Sequence, residues 1–223
     1  MIVEFSVQNF RSIHDLQTIS FQATGLKSSG DYTEVDLNNI AEKGDLRLLK
    51  TVGIYGANGS GKSNIIRALE YFLQAIKNEA SSESNLRELC DPFLYQNNSS
   101  ETESFFQIVI FINNKKYRYG FTVKRNNKPT HQLIDKVSKE IIVKEWLYGT
   151  KEKNIVEYFT RSGTNVNEKL QNEKIPALPY EHTLYLTHSA AHDSKSDSVL
   201  IRNYLKGWTL SNFTRGLTPF RQN

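Results

Sequence analysis

The sequence contains little of several features that identify common protein classes. Cys90 is the only cysteine among 223 residues, so an intrachain disulfide is impossible and a zinc site built on thiolates is not expected. No apolar run approaches the roughly 18 residues that a membrane-spanning helix requires, and the start of the chain lacks the basic segment and apolar centre of a signal peptide. These absences predict a cytoplasmic chain, outside the membrane, with a buried and unreactive Cys90.

Charge of neither sign dominates the composition. The net charge is +4 and the pI about 9.0, which permits a nucleic-acid partner without requiring one. The clearest basic cluster, KKYRYGFTVKRNNK at 115–128, would place aromatic residues on one face of a strand and Lys116, Arg118 and Lys124 on the other. A half-buried strand with a solvated basic face is the favoured interpretation, and nucleic-acid contact is the alternative.

One stretch carries a complete phosphate-binding motif. Residues 52–72, VGIYGANGSGKSNIIRALEYF, fill every fixed position of G-x-x-x-x-G-K-[ST]. Glycines let backbone N–H groups approach a polyphosphate, Lys62 offers charge to the β and γ phosphates, and the Ser63 hydroxyl is a ligand for Mg²⁺. We therefore predict an ATP–Mg²⁺ site. Its loop residues are Gly56, Ala57, Asn58, Gly59, Ser60, Gly61, Lys62 and Ser63.

The flanking segments predict an α/β fold of the P-loop NTPase type. The preceding stretch 46–55 is short and apolar, which suits a strand buried in a parallel sheet, and apolar residues recur at helical spacing from Ile65 to Ile76. We expect a twisted mixed sheet around the loop, with an added antiparallel layer from hairpins at 1–25 and 105–123, the second turning at Asn113-Asn114.

The remaining segments complete the expected organisation. Strands are predicted at 140–149 and 155–163 and a short helix at 197–208, whereas residues 26–44 and 81–104 are predicted to be irregular. We divide the chain into an N-terminal lobe of an ATPase domain, residues 1–163, and a partial C-terminal extension or insertion that is helical and loop-rich, residues 164–223.

Two motifs together resemble a known group of ATPases. The VQNFRSI segment at 7–13, followed about forty residues later by IYGANGSGKSNIIRAL, resembles the head domains of the SMC, RecF and OLD branch of ABC-type ATPases. The DPF tripeptide at 91–93, with KYRYGFTV and KEWLYG downstream, resembles the AbiLi-type AAA ATPases of bacterial abortive infection and phage defence. This resemblance implies that Arg11 lies near the nucleotide and Asn58 beside its γ phosphate.

The same resemblance shows which motifs are missing. ATPases of this branch carry a Leu-Ser-Gly-Gly-type signature, a strand ending in Asp-Glu and a switch histidine after the phosphate loop. QLIDKV at 132–137 has no second acidic residue after Asp135, and TLSNFTRG at 209–216 lacks the glycines of the signature. We therefore expect binding without efficient turnover by this chain alone, and a homo-oligomer or partner subunit that supplies the missing motifs.

Three functions remain open from the sequence. The first is ATP binding by the N-terminal part of a phage-defence ATPase. The second is a DNA-repair or chromosome-maintenance head, which the lack of sustained heptads disfavours. The third is an ATP-dependent switch that does not hydrolyse and that controls a toxin or nuclease effector.

A histidine-rich segment offers a weaker hypothesis. HTLYLTHSAAHDSKSD at 182–197 places His188 and His192 four residues apart beside Asp193, the spacing of metal ligands on one face of a helix. Ser189 stands where a zinc protease motif requires glutamate, and the stretch is rich in Ser and Asp, so a polar loop is the favoured interpretation.

Overall fold

The computed structural model describes residues 1–25, 29–30, 33–78, 83–97, 99–126, 139–151, 154–170 and 173–208. Its main element is a seven-stranded sheet of strands β1 (Ile2–Gln8), β2 (Gln17–Ser20), β5 (Ser104–Ile112), β6 (Lys115–Arg125), β7 (Glu140–Lys151), β8 (Asn154–Ser162) and β9 (Asn165–Glu168). Every strand pair is antiparallel, and the order in the sheet is β2-β1-β5-β6-β7-β8-β9.

Four helices and a second, smaller sheet complete the described elements. The helices are α1 (Thr33–Asn39), α2 (Lys62–Lys77), α3 (Tyr185–His192) and α4 (Asp197–Lys206). Strands β3 (Ile40–Lys43) and β4 (Leu46–Leu49) pair with each other as a separate antiparallel hairpin.

Both predicted hairpins are confirmed. In the second, Asn113 and Asn114 have φ angles of 49° and 60°, the left-handed values that a two-residue turn of this kind needs. Alternation along β6 also follows the prediction, because Tyr117, Tyr119 and Phe121 are fully buried while Arg118 is exposed. The predicted strands at 140–149 and 155–163 and the helix at 197–208 are present as β7, β8 and α4.

The main core lies between one face of the large sheet and helices α2, α3 and α4. Phe72 of α2 stacks on Phe121 with ring centroids 5.1 Å apart and meets Phe5 edge-on. A smaller cluster joins Val3, Leu48 and Val109 on the opposite face of the sheet. The β3–β4 hairpin therefore covers the part of that opposite face formed by β1 and β5.

The predicted parallel strand before the phosphate loop is wrong. Within 46–55 the strand β4 ends at Leu49 and pairs antiparallel with β3, and the following residues have no regular structure. Tyr55 is 93% exposed, whereas a strand in a parallel sheet is covered on both faces. The expected mixed sheet is thus an antiparallel sheet in the described residues, and helix α1 and strand β3 lie where an irregular segment was expected.

Helices after residue 163 share the main core with the strands before it. Leu184, Leu186, Ile201 and Leu205 are buried in the cluster that also contains Phe72. The division at residues 163 and 164 remains a prediction. No helix in the described part of the chain is long and apolar enough to cross a membrane.

Candidate nucleotide-binding site

The phosphate-loop motif, residues 56–63, lies at the start of α2. Gly59 and Gly61 have φ angles of 82° and 90°, where a side chain would strain the backbone. Gly61 is the N-cap of α2, and no side chain caps that end of the helix. The Asn64 and Ile65 N–H groups donate to the Gly61 carbonyl oxygen at 2.9 and 3.2 Å. The N–H groups of Lys62 and Ser63 have no acceptor among the described residues, so they and the positive end of the helix dipole remain available to an anion.

The Lys62 side chain folds back over the loop. Its Nζ donates hydrogen bonds to the carbonyl oxygens of Gly56, at 2.7 Å, and Ala57, at 2.5 Å. The Ser60 hydroxyl oxygen is a weaker third acceptor at 3.4 Å. The amine is thus held over the loop by three neutral acceptors.

The other predicted loop residues are open to solvent. Asn58 in the loop and Ser63 in the first turn of α2 are both exposed. A Cβ at Gly56 would lie 2.9 Å from the Ser60 Oγ, so a side chain there would displace the Ser60 hydroxyl. Backbone donors and the Lys62 amine can therefore approach a polyphosphate from the solvent side.

The N-terminal N-F-R-S element meets the phosphate loop directly. The Asn64 amide in the first turn of α2 donates to the Ser12 Oγ at 2.7 Å. The same oxygen would be 3.2 Å from a Cβ at Gly61. Residues 10–12 therefore lie beside the end of α2 that is proposed to face the phosphates.

Arg11 is held by acidic and aromatic neighbours. Its Nε donates to the Asp91 Oδ2 at 3.0 Å, and Glu88 lies 3.6 Å from its Nη2. The guanidinium carbon is 5.4 Å from the ring centroids of both Phe10 and Tyr71, the latter on α2. Its position near the nucleotide stays a prediction, since these contacts define only its protein partners.

Sequence reasoning missed Asn9 as the anchor of this region. Asn9 is 5% exposed, with φ at 51°, and its side-chain amide donates to the Ser99 carbonyl at 3.0 Å and to the Thr102 hydroxyl at 2.8 Å. Its Oδ1 accepts from the Phe93 N–H at 3.0 Å. The two motifs that carried the family resemblance are thus joined through Asn9 and Arg11. In the sequence, only the joint occurrence of the N-F-R-S and DPF motifs indicated that these two segments are in contact.

The histidine segment forms a helix, so the prediction of a polar loop is wrong. His188 and His192 lie on α3 with ring centroids 4.5 Å apart, but the His188 Nε2 faces the Pro176 carbonyl oxygen at 2.9 Å. Burial lowers the pKa of His188. Among the described residues no group of three His, Cys, Asp or Glu side chains is placed to hold a metal ion, so the His188–His192 pair is not part of such a cluster there.

The Glu145 carboxylate is buried in a structural network. It lies 3.2 Å from the Arg161 Nη1, and both side chains are completely buried. It accepts the N–H groups of Tyr185 and Leu186 at 2.7 and 2.9 Å, which caps α3, and the Tyr119 hydroxyl at 3.0 Å. Burial raises the pKa of Glu145, while Arg161 and the helix amides oppose that shift.

The Glu140 carboxylate is also buried, at 8% exposure. Burial raises the pKa of the nearby Cys90 thiol, and the charge of Glu140 adds to that shift. Asp135 and the segment 209–216 lie outside the described residues.

A family model matches residues 52–221, which is more than half of the chain and includes the whole phosphate loop. The family is described as "AAA domain, putative AbiEii toxin, Type IV TA system". The chain belongs to this family. It is a family of P-loop ATPases, and membership implies that this AAA-family chain binds a nucleotide. No curated protein matches the chain.

Proposed function

We propose that the chain binds ATP with Mg²⁺ through residues 56–63. The observation that carries this proposal is the uncapped start of α2, with Lys62 folded over a glycine loop. A triphosphate would accept the free helix amides and replace the Gly56 and Ala57 carbonyls as the partner of Lys62.

The exposed Ser63 hydroxyl suits a metal that bridges two phosphates. Mg²⁺ prefers oxygen ligands and keeps several waters, so one protein hydroxyl can complete a coordination shell that phosphate oxygens and waters otherwise fill. The solvent-facing position of Ser63 leaves room for those waters. When bound, the metal would neutralise charge on the β and γ phosphates.

The finer family assignment is also a proposal. The N-F-R-S element beside α2 and its link to DPF support an ATPase of the SMC, RecF and OLD branch, closest to the AbiLi type, with Arg11 near the nucleotide. The toxin system in the family description supports a role in phage defence or abortive infection. We place this role in the cytoplasm, where the sequence predicts the chain to be. A second copy or another subunit would then supply the missing ATPase motifs.

A switch that binds ATP without turnover is the second candidate. It is favoured by the use of Glu145 as a helix cap and ion-pair partner, which leaves that carboxylate unable to position water. Such a switch would act on a toxin or nuclease effector through its nucleotide state.

Calorimetric titration with ATP and Mg²⁺ tests the binding proposal. We expect Lys62→Ala to lose about 1.5–3 kcal/mol of binding free energy, because a charge-assisted contact is removed. Arg67→Ala is the matched control, since Arg67 is an exposed cation on the same helix. Equal affinities of the wild type and Lys62→Ala would contradict the assignment of Lys62.

A further inference from the structure

The sheet face opposite α2 and α4 carries adjacent basic and aromatic side chains. We name it the basic–aromatic face: Lys116 and Arg118 on β6, and Lys144, Trp146 and Tyr148 on β7. The strand register pairs Arg118 with Tyr148. Successive strand residues point to opposite faces, and the intervening Tyr119 and Leu147 are buried in the main core. The five side chains therefore share the face that the helices leave open.

Two adjoining cavities form a groove over this face. The larger, of about 630 Å³, is lined by Arg118, Lys144, Trp146 and Tyr148 among others. The smaller, of about 200 Å³, shares Arg118 and Tyr148 and adds Lys116. The β3–β4 hairpin lies on the same side of the sheet, but in the described part of the chain it covers only β1 and β5. The groove across β6 and β7 is thus accessible there.

The groove has an excess of positive charge. Arg118 and Lys144 are exposed, and neither forms an ion pair within the described ranges. The nearest acid along the register is Glu157, which faces Tyr148 and lies 3.4 Å from the Lys169 amine. Within the described residues these two cations therefore have no counter-charge in an ion pair, and an anionic ligand complements them.

Trp146 is held as a flat surface among these cations. Its ring stacks on Phe105 with centroids 5.5 Å apart and an interplanar angle of 25°. Its Nε1 donates to the Gln107 Oε1 at 3.2 Å. The cross-strand partner is Gly120, where an added Cβ would lie 2.5 Å from the indole. The missing side chain at Gly120 lets the indole lie against β6, so the ring orientation is fixed before any ligand binds.

We propose that the basic–aromatic face binds single-stranded nucleic acid. Lys116, Arg118 and Lys144 would contact phosphates, while unpaired bases stack on Trp146 or Tyr148. A duplex would satisfy the cations but not the aromatic rings, because its bases are stacked on one another. The site uses no residue of the phosphate loop and does not depend on ATP binding.

The first test measures the anisotropy of a labelled oligothymidylate of about 20 nucleotides with the full chain at about 50 mM salt. The test variant is Arg118→Glu/Lys144→Glu, and the control variant is Arg87→Glu/Lys206→Glu. Arg87 lies in the α2–β5 connection and Lys206 at the end of α4, and both are exposed. Both variants lower the net charge from +4 to 0. We expect at least a tenfold weaker affinity for the first variant only. For that variant, the slope of the logarithm of the binding constant against the logarithm of salt concentration should be smaller by about 1.4, because two phosphate contacts are lost.

The second test reports stacking. The chain has two tryptophans, so Trp208→Phe leaves Trp146 as the only indole. The oligothymidylate should quench its fluorescence, and a duplex of equal length should not. Circular dichroism and thermal melting check that each variant folds. If a glutamate double variant does not fold, the glutamine variants Arg118→Gln/Lys144→Gln and Arg87→Gln/Lys206→Gln are compared instead.

Three results would overturn the proposal. The first is no binding of the oligothymidylate at low salt. The second is an equal loss of affinity in both double variants, which would show that only net charge matters. The third is tighter duplex binding without quenching of Trp146, which would indicate a backbone-binding surface of another kind.

Discussion

Lys62 shows how a phosphate-binding side chain is positioned by its own loop. Its amine donates to the carbonyl oxygens of Gly56 and Ala57, which are neutral acceptors. Phosphate oxygens carry negative charge, so they add a charge–charge attraction to the ammonium that the two carbonyls do not offer. Exchange of the two carbonyls for a triphosphate therefore favours the bound state.

The role of Ser63 can be separated from that of Lys62. If its hydroxyl binds the metal, Ser63→Ala should reduce ATP affinity more in Mg²⁺ than in EDTA. Calorimetric titration of the wild type and the variant under both conditions measures this difference, and each protein serves as its own control. The same loss in Mg²⁺ and in EDTA would assign the hydroxyl to phosphate contact or helix capping instead.

Cys90 should be chemically inert in the folded chain. Burial raises the pKa of its thiol to about 12, with a smaller contribution from Glu140. At pH 8 its thiolate should thus be about a thousandfold scarcer than that of an ordinary cysteine, and the thiolate is the reactive form. We expect a disulfide reagent to label the single thiol rapidly in denaturant and very slowly in native buffer. Comparable rates would mean that the segment around Cys90 opens readily.

Single residues differ in how well the sequence predicts them. Lys62 and Ser63 follow from a local spacing, because the loop and the helix start lie within eight residues. The Arg11–Asp91 pair joins positions eighty residues apart. No local pattern encodes such a contact, and only the resemblance brought the two motifs together.

At the scale of elements, the sequence predicts a strand pair correctly where alternating apolar residues and turn residues both indicate a hairpin. Strands β5 and β6 have both, with Asn113 and Asn114 between them. The stretch 46–55 has apolar residues but no strand partner beyond Leu49 among the described residues, so β-propensity alone was misleading. Helix α3 was missed because its cap, Glu145, lies forty residues before it.

The dependence of α3 on Glu145 can be measured. Glu145→Ala leaves the buried Arg161 without its carboxylate partner and leaves the N–H groups of Tyr185 and Leu186 without their acceptor. We therefore expect the free energy of unfolding to fall by about 3–5 kcal/mol. Glu157→Ala is the matched control, because its partner Lys169 is 55% exposed, and we expect about 1 kcal/mol or less.

Urea denaturation followed by circular dichroism measures both variants. Absence of a cooperative transition in Glu145→Ala agrees with the expected loss, since domains are stable by only about 5–15 kcal/mol. Similar small losses in both variants would show that the helix end is satisfied without Glu145.

At the scale of the whole molecule, the antiparallel sheet and its helices explain why the phosphate loop is well placed yet open. Helix α2 is fixed by Phe72 against Phe5 and Phe121, so the loop at its N-terminus starts from a rigid support. The sequence predicted the loop, the helix and most strands, but not the pairing order of seven strands. That order depends on contacts between distant segments, which periodicity within one segment cannot reveal.

The isolated 223-residue chain should bind ATP and hydrolyse it only at a trace rate. Lys62 and Mg²⁺ can neutralise charge, but catalysis needs interactions that are stronger in the transition state, such as a carboxylate that positions water. Glu145 caps α3, and Glu140 lies in the environment of Cys90. Phosphate release by purified protein measures the rate, with Lys62→Ala as the control for contaminating ATPases. Steady turnover of about 1 per second or more, abolished in that control, would show that the chain holds a complete catalytic site.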